Sequence, residues 1–292
     1  MHVLILFNPT SGTANHDFIK DVRKRLEAAG ATVELYFTKC ANDATEYLQH
    51  YPDELDIVAP AGGDGTLNEV INGLVNRPGH SYRLALIPTG TTNVLAGELG
   101  IKRNAKALCE MMLNGNEKAI YPGRINGRRF IQMAGVGYDA WVVDNVDLAL
   151  KKKVGKLAYV LSMLKQLPQF GKKHYRFVVD GKEYLANSAV LSNGRLYGGK
   201  FVISKQANLS ASTVQVLLLQ AKTMWGLLLS LLGLPFGVLE KMPGVVSVPA
   251  KEIKVEMLNQ REREPVQADG DSLAELPLHL VMEDKPLRVL VP

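Results

Sequence analysis

Between residues 2 and 98 the chain alternates short unbroken apolar runs with segments of helical spacing. A short apolar run without polar alternation fits a strand buried on both faces, and such strands need helices on each side of their sheet. "HVLILFNP" is the first, stopped by Pro9. "DFIKDVRKRLEAAG" then sets Phe18, Ile19, Val22 and Leu26 on one helical face, with Gly30 as a C-terminal stop. "TVELYFT" reads as a strand and "NDATEYLQHY" as a helix capped by Asn42 or Asp43. "DIVAPAGG" is a third strand, and "TLNEVINGLVN" carries Leu67, Val70, Ile71 and Leu74 at helical spacing. "RLALIPTG" is a fourth strand and "TNVLAGELG" opens another helix. This order predicts a parallel α/β sheet whose ligands sit beyond the C-terminal strand ends, where "AGGDGT" and "IPTGTTN" fall.

The second half has a different texture. "RINGRRFIQMAGVG" and "YRFVVDGKEYLANSAVLSNG" carry Asn126-Gly127 and Asp180-Gly181 between extended segments, both hairpin signals. "FVIS", "TVQVLLLQ", "EIKVEML", "PVQAD", "PLHLVM" and "PLRVLVP" are further strand-like runs, interrupted by a helical region over about 142–167. The expected organisation is an α/β domain over residues 1–121 and a mostly β domain over 122–285, with the strand 286–292 returning to the first. A length of 292 residues suits two domains at roughly 100–200 residues each.

The net charge of +5 favours an anionic partner without choosing among nucleotide, nucleic acid and membrane. Cys40 and Cys109 are distant in sequence and form no CxxC pair, which argues against a disulfide framework or zinc site. Reduced thiols and an N-terminus without a positively charged leader predict a cytoplasmic protein.

The stretch "AGGDGTLNEVINGL", residues 61–74, carries the chemistry. A strand that feeds glycines into a helix N-terminus presents backbone N–H groups and a helix dipole to an anion. Gly62, Gly63 and Gly65 would let a phosphate approach the backbone, and Thr66 would cap the helix or bind a phosphate oxygen. Asp64 would repel phosphates unless a cation intervenes, a conflict that a Mg²⁺–nucleotide resolves. A plain strand-to-helix turn with Asp64 as a local cap is the competing reading. The loop is neither a Walker A nor a GxGxxG motif.

"GGDGTLNEVINGL" resembles the signature loop of the diacylglycerol kinase catalytic-domain superfamily, which includes bacterial YegS-type lipid kinases. Further segments agree in order. "FNPTSG" is similar to the family's first-strand turn and "IPTGTTNVLA" to its P-x-GT-x-N segment. "AGVGYDA", residues 134–140, is similar to its G-x-G-x-D-A motif, and "QADGD", residues 267–271, to its DGE or DGD motif. GGDGT alone is shared with NAD kinases and echoed in phosphofructokinases. Followed by LNE, with the other segments in register, it is specific.

The resemblance implies an α/β domain and a β-sandwich with ATP in the cleft between them. By matched position, Asn8, Thr38, Gly62, Gly63, Asp64, Gly65, Thr66, Asn68 and Thr91 would contact ATP, with Glu69 and Asn93 supporting them. Asp64 would meet Mg²⁺ through the nucleotide. Asp271 takes the position of the family's general base for phosphorylation of a lipid hydroxyl such as that of a diacylglycerol, a step of phospholipid biosynthesis. Without the resemblance, Asp269-Gly270-Asp271 reads as a hairpin turn. One segment departs from the family. "NLSASTVQV" places Ala211, Ser212 and Gln215 where relatives hold a structural Mg²⁺ with carboxylates, so the resemblance does not carry that second metal site over.

A lipid kinase must meet a bilayer. "TMWGLLLSLLGLPFGVL", residues 223–239, is too short to span one and is broken by Pro235, which leaves an interfacial helix, a substrate-pocket helix or a buried one. The stretch between Asp147 and Asp180 holds no acid but carries Lys151, Lys152, Lys153, Lys156, Lys165, Lys172, Lys173 and Arg176. That pattern suits peripheral contact with anionic lipid or a solvated helix face. No nucleic-acid motif accompanies it. Two other readings stay open: a soluble small-molecule or dinucleotide kinase sharing GGDGT, and a non-catalytic nucleotide-binding protein at a membrane surface. The sequence leaves the lipid and the oligomeric state undetermined.

Overall fold

The computed structural model describes residues 1–292 apart from 53, 76–81, 148–149, 151–153, 156 and 259–262. Lys151, Lys152, Lys153 and Lys156 of the basic run lie outside the described residues. The chain forms two compact units, Met1–Ile120 with Pro286–Pro292, and Tyr121–Lys285.

The first unit runs β1 (His2–Phe7), α1 (His16–Ala28), β2 (Thr32–Phe37), α2 (Asp43–His50), β3 (Ile57–Gly62), α3 (Asp64–Gly73), β4 (Arg83–Leu84), β5 (Ile87–Pro88), α4 (Val94–Glu98), α5 (Ala105–Asn114) and β6 (Asn116–Ile120). Its sheet has the order β2-β1-β3-β4, then the chain's last strand Leu287–Val291, then β6, with β5 also on β3. The last strand pairs parallel to β4 and antiparallel to β6. Val3 to Phe7 of β1 are fully buried, as a central parallel strand with covered faces requires. Helix α1 buries Ile19, Val22 and Leu26, and the Asn15 side chain caps it by accepting the Phe18 N–H.

Two local expectations change. The strand expected over "RLALIPTG" divides into β4, on Ile57 and Val58, and β5, on Ala61 and Gly62. Pro60 of β3 lies in the gap and has no N–H for the ladder. At α2, Asn42 occupies the cap position with φ of 65° but makes no side-chain cap. The Asp43 carboxylate instead accepts the Lys39 N–H at 2.7 Å and the Tyr36 hydroxyl at 3.0 Å.

The second unit is a pair of antiparallel sheets. One has the order β11 (Lys182–Ala186), β10 (Tyr175–Val179), β17 (Glu252–Met257), β20 (Leu278–Met282), β7 (Gly123–Ile125), β8 (Arg128–Phe130). The other has the order β16 (Val245–Ala250), β15 (Val214–Leu219), β12 (Ser188–Ser192), β9 (Met133–Gly137), β18 (Pro265–Ala268), β19 (Asp271–Glu275). A small ribbon, β13 (Leu196–Tyr197) with β14 (Phe201–Val202), stands apart. Phe130, Phe177, Leu191, Val216, Ile253 and Leu280 fill the core between the sheets.

Asn126-Gly127, Asp180-Gly181 and Asp269-Gly270 all take positive φ at both positions, the geometry that two-residue hairpins of this twist require. Among the described residues the unit also carries helices α6 (Tyr138–Asp144), α7 (Leu157–Gln166) and α8 (Met224–Leu231). The helical region expected over 142–167 therefore begins earlier. Gly137, at φ of 75°, turns β9 directly into α6. In the apolar stretch 223–239, Leu227 and Ser230 are buried while Trp225 is 73% and Phe236 78% exposed. Among the described residues no helix is long and apolar enough to cross a membrane.

Candidate functional site

In the first unit three loops meet beyond the ends of β1, β3 and β5. The Asn8 side chain donates to Thr66 Oγ1 at 3.2 Å, and its carbonyl oxygen accepts the Thr10 N–H at 2.9 Å. This ties "NPTSG" to "GGDGT". Ser11 and Thr89 share a hydroxyl hydrogen bond of 2.9 Å, tying "NPTSG" to "PTGTTN". The Gly62 carbonyl accepts the N–H groups of Thr89 and Gly90 at 3.0 and 3.1 Å. Gly63 and Gly90 lie backbone against backbone, so close that a side chain on Gly90 would overlap the Gly63 Cα. Glycine is needed there for contact rather than for a special φ.

Asp64 opens α3 behind the Gly63 cap, and its carboxylate accepts the Val94 N–H at 2.9 Å, bridging the two glycine loops. Asn93, at φ of 49°, closes a local ring with Gly90 through bonds of 3.0 and 2.7 Å. Thr91 sits over Gly12, and the Thr38 N–H donates to the Phe7 carbonyl at 2.9 Å, beside Asn8. The structure thus gathers Asn8, Thr38, Gly62 to Thr66, Thr91 and Asn93 beyond the C-terminal ends of neighbouring strands. The N-cap of α3 is Gly63 rather than Thr66, whose hydroxyl oxygen accepts from Asn8 and keeps its own donor.

Two further expected residues have partners on α3 and α2. Asn68 is buried in α3, with its side chain accepting from Asn72 at 3.1 Å. Glu69 faces α2, where its carboxylate accepts the Ala44 N–H at 3.3 Å and its carbonyl the Thr45 hydroxyl at 2.8 Å.

In the second unit Asp271 is exposed at the start of β19, directly after the Asp269-Gly270 turn. That turn is held firmly. The Asp269 carboxylate accepts the N–H groups of Ile131, Gln132 and Met133 at 2.9, 2.8 and 3.2 Å. The Gly270 N–H donates to Gln267 Oε1 at 3.2 Å, and its carbonyl accepts the Tyr159 hydroxyl at 3.3 Å.

Behind the turn lies a residue that the sequence quoted but did not assign. Asp139 is buried, with Gln267 Nε2 donating to it at 2.6 Å and the Tyr197 hydroxyl donating to its other oxygen. Burial pushes its carboxyl above the usual carboxylate range, against the two donors, which pull it down. Its sequence signals were its place as the D of the "AGVGYDA" motif and a lone acid among the apolar residues of "GVGYDAWVV".

Residues 2–125 match the family described as "Diacylglycerol kinase catalytic domain", and residues 132–291 match "YegS C-terminal NAD kinase beta sandwich-like domain". The chain belongs to the YegS-type lipid kinase family. A protein named diacylglycerol kinase from Bacillus subtilis (strain 168) is 38% identical over 184 residues, which is 61% of this chain and 59% of that protein. Another of that name from Staphylococcus carnosus (strain TM300) is 27% identical over 99% of this chain and 94% of its own length. The crystal structure of a diacylglycerol kinase from Bacillus anthracis str. Sterne superposes with a TM-score of 0.79 at 24% identity. It covers 100% of this chain and 97% of that one, a likeness of fold.

Proposed function

We propose that this protein transfers the γ-phosphoryl group of ATP to the hydroxyl of a diacylglycerol-like lipid. The observation that carries the reading is the convergence of the "NPTSG", "GGDGT" and "PTGTTN" loops on the N-terminus of α3. Backbone approach at Gly63 and Gly90, a helix N-terminus and small hydroxyls form an anion cradle. The crevice behind it holds ≈ 10 Å³, so phosphates would lie on the cradle rather than in a hole.

The donor set fits Mg²⁺ only as a companion of the nucleotide. Among the described residues no group of three acids, histidines or cysteines offers a protein-only site, and Asp64 is the carboxylate at the cradle. Bound there, the ion would neutralise charge building on the phosphoryl oxygens. Asn8, Thr66 and Thr91 would orient the phosphates, and Asp64 would face the cation.

Asp271, displayed by the braced turn, would accept the proton of the lipid hydroxyl as it attacks in line, while the phosphoryl group leaves ADP. This requires both half-sites to act on one pair of substrates. Asp269 and the Asp139–Gln267 pair are positioning residues, since each acts on the turn and not on the lipid. The relatives' shared name supplies the lipid class, and the apolar exposure of α8 agrees with peripheral contact with a membrane from the cytoplasmic side.

The test is incubation of purified protein with Mg²⁺, γ-labelled ATP and mixed micelles of diacylglycerol, monoacylglycerol, phosphatidylglycerol, ceramide or a sphingoid base. Label should enter one lipid class. Asp271→Asn should lower kcat by roughly 10²–10⁴-fold with little change in KM for ATP. Label in none of these lipids, or full activity in Asp271→Asn, refutes the reading.

A further inference from the structure

A cavity that the proposed chemistry leaves unused lies wholly within the second unit. It encloses ≈ 270 Å³ between α6, the end of α7 and the edge of β10. That is room for about nine waters at ~30 Å³ each, enough for a polar head group and too little for a two-chain lipid. The rings of Tyr138, Trp141, Phe170 and Tyr175 form its walls. Gln166, Gln169 and Lys173 supply the polar lining.

Its base is built rather than accidental. The Glu264 side chain, 2% exposed, accepts the Trp141 indole N–H at 2.7 Å, the Lys173 ammonium at 2.6 Å and the Tyr175 hydroxyl. The Lys173 ammonium also lies 4.3 Å over the Trp141 ring. The ammonium has three donors, of which Glu264 takes one, so a second anion can bind without releasing Glu264.

The cavity and the Asp269-Gly270 turn lie toward opposite ends of β9. Met133, at one end of β9, accepts the Asp269 N–H through its carbonyl. Gly137, at the other end, packs on Tyr175 and Asn187 beside the cavity. Four residues at ~3.4 Å each put Met133 and Gly137 on the order of 14 Å apart along the strand.

The surroundings select the ligand. No acid occurs between Asp147 and Asp180, and Lys165 and Lys172 flank the lining residues Gln166 and Lys173 in sequence. On α7 itself Leu157, Val160, Leu161 and Leu164 are exposed at 61, 44, 52 and 55%. Phe170 packs with Leu227 of α8, which connects the cavity wall to the helix that exposes Trp225 and Leu229. An aromatic pocket with one ammonium and several amide side chains, beside two exposed apolar helix faces, matches an anionic head group whose acyl chains stay in a bilayer.

We propose that this cavity receives the phosphate-bearing head of an anionic membrane phospholipid that is not the phosphorylated substrate. It is thus an accessory lipid site that seats the second unit on the membrane. The choice of a lipid ligand rests on the lipid kinase reading above.

The experiment reads binding rather than phosphoryl transfer. The chain has two tryptophans, so Trp225→Phe leaves Trp141 as the sole reporter. In the Trp225→Phe, Asp271→Asn protein without ATP, Trp141 emission is titrated with dihexanoyl phosphatidylglycerol, dihexanoyl phosphatidylcholine or inorganic phosphate. Phosphatidylglycerol should shift the emission saturably, with the other two at least about tenfold weaker. Lys173→Met should weaken binding about tenfold or more, as loss of a charge-assisted bond does. Gln166→Leu leaves the three partners of Glu264 in place, and should weaken binding several-fold even if Lys173→Met fails to fold.

An equal response to phosphatidylcholine, saturation by inorganic phosphate, or wild-type binding by Gln166→Leu together with any folded Lys173→Met protein overturns the proposal. A positive titration in a protein that phosphorylates no lipid would keep the cavity and remove the kinase reading. Kinase activity with no titration would do the reverse.

Discussion

Asp269→Asn separates the turn's support from the chemistry beside it. Asparagine is isosteric and tolerates the φ of 51° found at this position. Its amide has one acceptor oxygen where the carboxylate has two. The wild-type Oδ1 takes the N–H groups of Gln132 and Met133, and Oδ2 takes that of Ile131. Asparagine would keep the Oδ1 pair and turn an NH₂ group toward the Ile131 N–H, donor against donor.

Hydrogen bonds to a charged acceptor contribute about 1.5–3 kcal/mol each, and Ile131 is fully buried, so water does not replace the lost one. Losing one bond and the charge on the other two gives roughly 2–4 kcal/mol, at least about 30-fold in the local opening constant. Amide hydrogen exchange at Ile131, Gln132 and Met133 reads this directly and does not require whole-chain two-state unfolding.

Asp180 is the control. It occupies the same turn type, with φ of 46°, and accepts the Lys251 and Glu252 N–H groups at 3.1 and 2.8 Å, but on the exposed surface. Water can replace those bonds, so Asp180→Asn should change exchange at Lys251 and Glu252 by less than about threefold. If Asp269→Asn alters exchange at Ile131 to Met133 no more than Asp180→Asn does at its own partners, burial is not what makes the Asp269 turn rigid.

Gly90→Ala should force the Gly63 and Gly90 backbones apart, costing about 1–3 kcal/mol by overpacking, with a lower melting temperature and a raised KM for ATP. An unchanged KM would show that the cradle tolerates the shift. Because burial raises the Asp139 carboxyl, the folded state holds that proton more tightly than the unfolded chain. Asp139 should therefore contribute a stability that falls as pH rises from the ordinary carboxylate range through its raised pKa and is flat above it. Asp139→Asn should remove that slope in urea unfolding at stepped pH, and a slope that persists refutes the assignment. Cys40 is exposed, whereas Cys109 is buried with its thiol pushed up to about 11. One thiol should react with a chromogenic disulfide reagent in the native protein and two after denaturation.

The hydrophobic pattern alone determined the two halves of the fold. Unbroken apolar runs such as "HVLILF" alternating with segments of helical spacing fit a doubly covered parallel sheet, and Asn-Gly or Asp-Gly between extended runs fits a hairpin of matching twist. The glycine loops were legible for a similar reason, since backbone approach to a phosphate restricts residue type locally.

What pattern could not determine was partnership across the sequence. Nothing local says that Asp64 bridges to Val94, or that Glu69 turns to α2 and away from the cradle. Nothing local distinguishes the bare DG turn from one braced by three amides some 137 residues away. Those are facts of tertiary contact. A carboxylate takes whichever N–H groups the fold brings within about 3 Å, and its role follows from that encounter rather than from its neighbours in the chain.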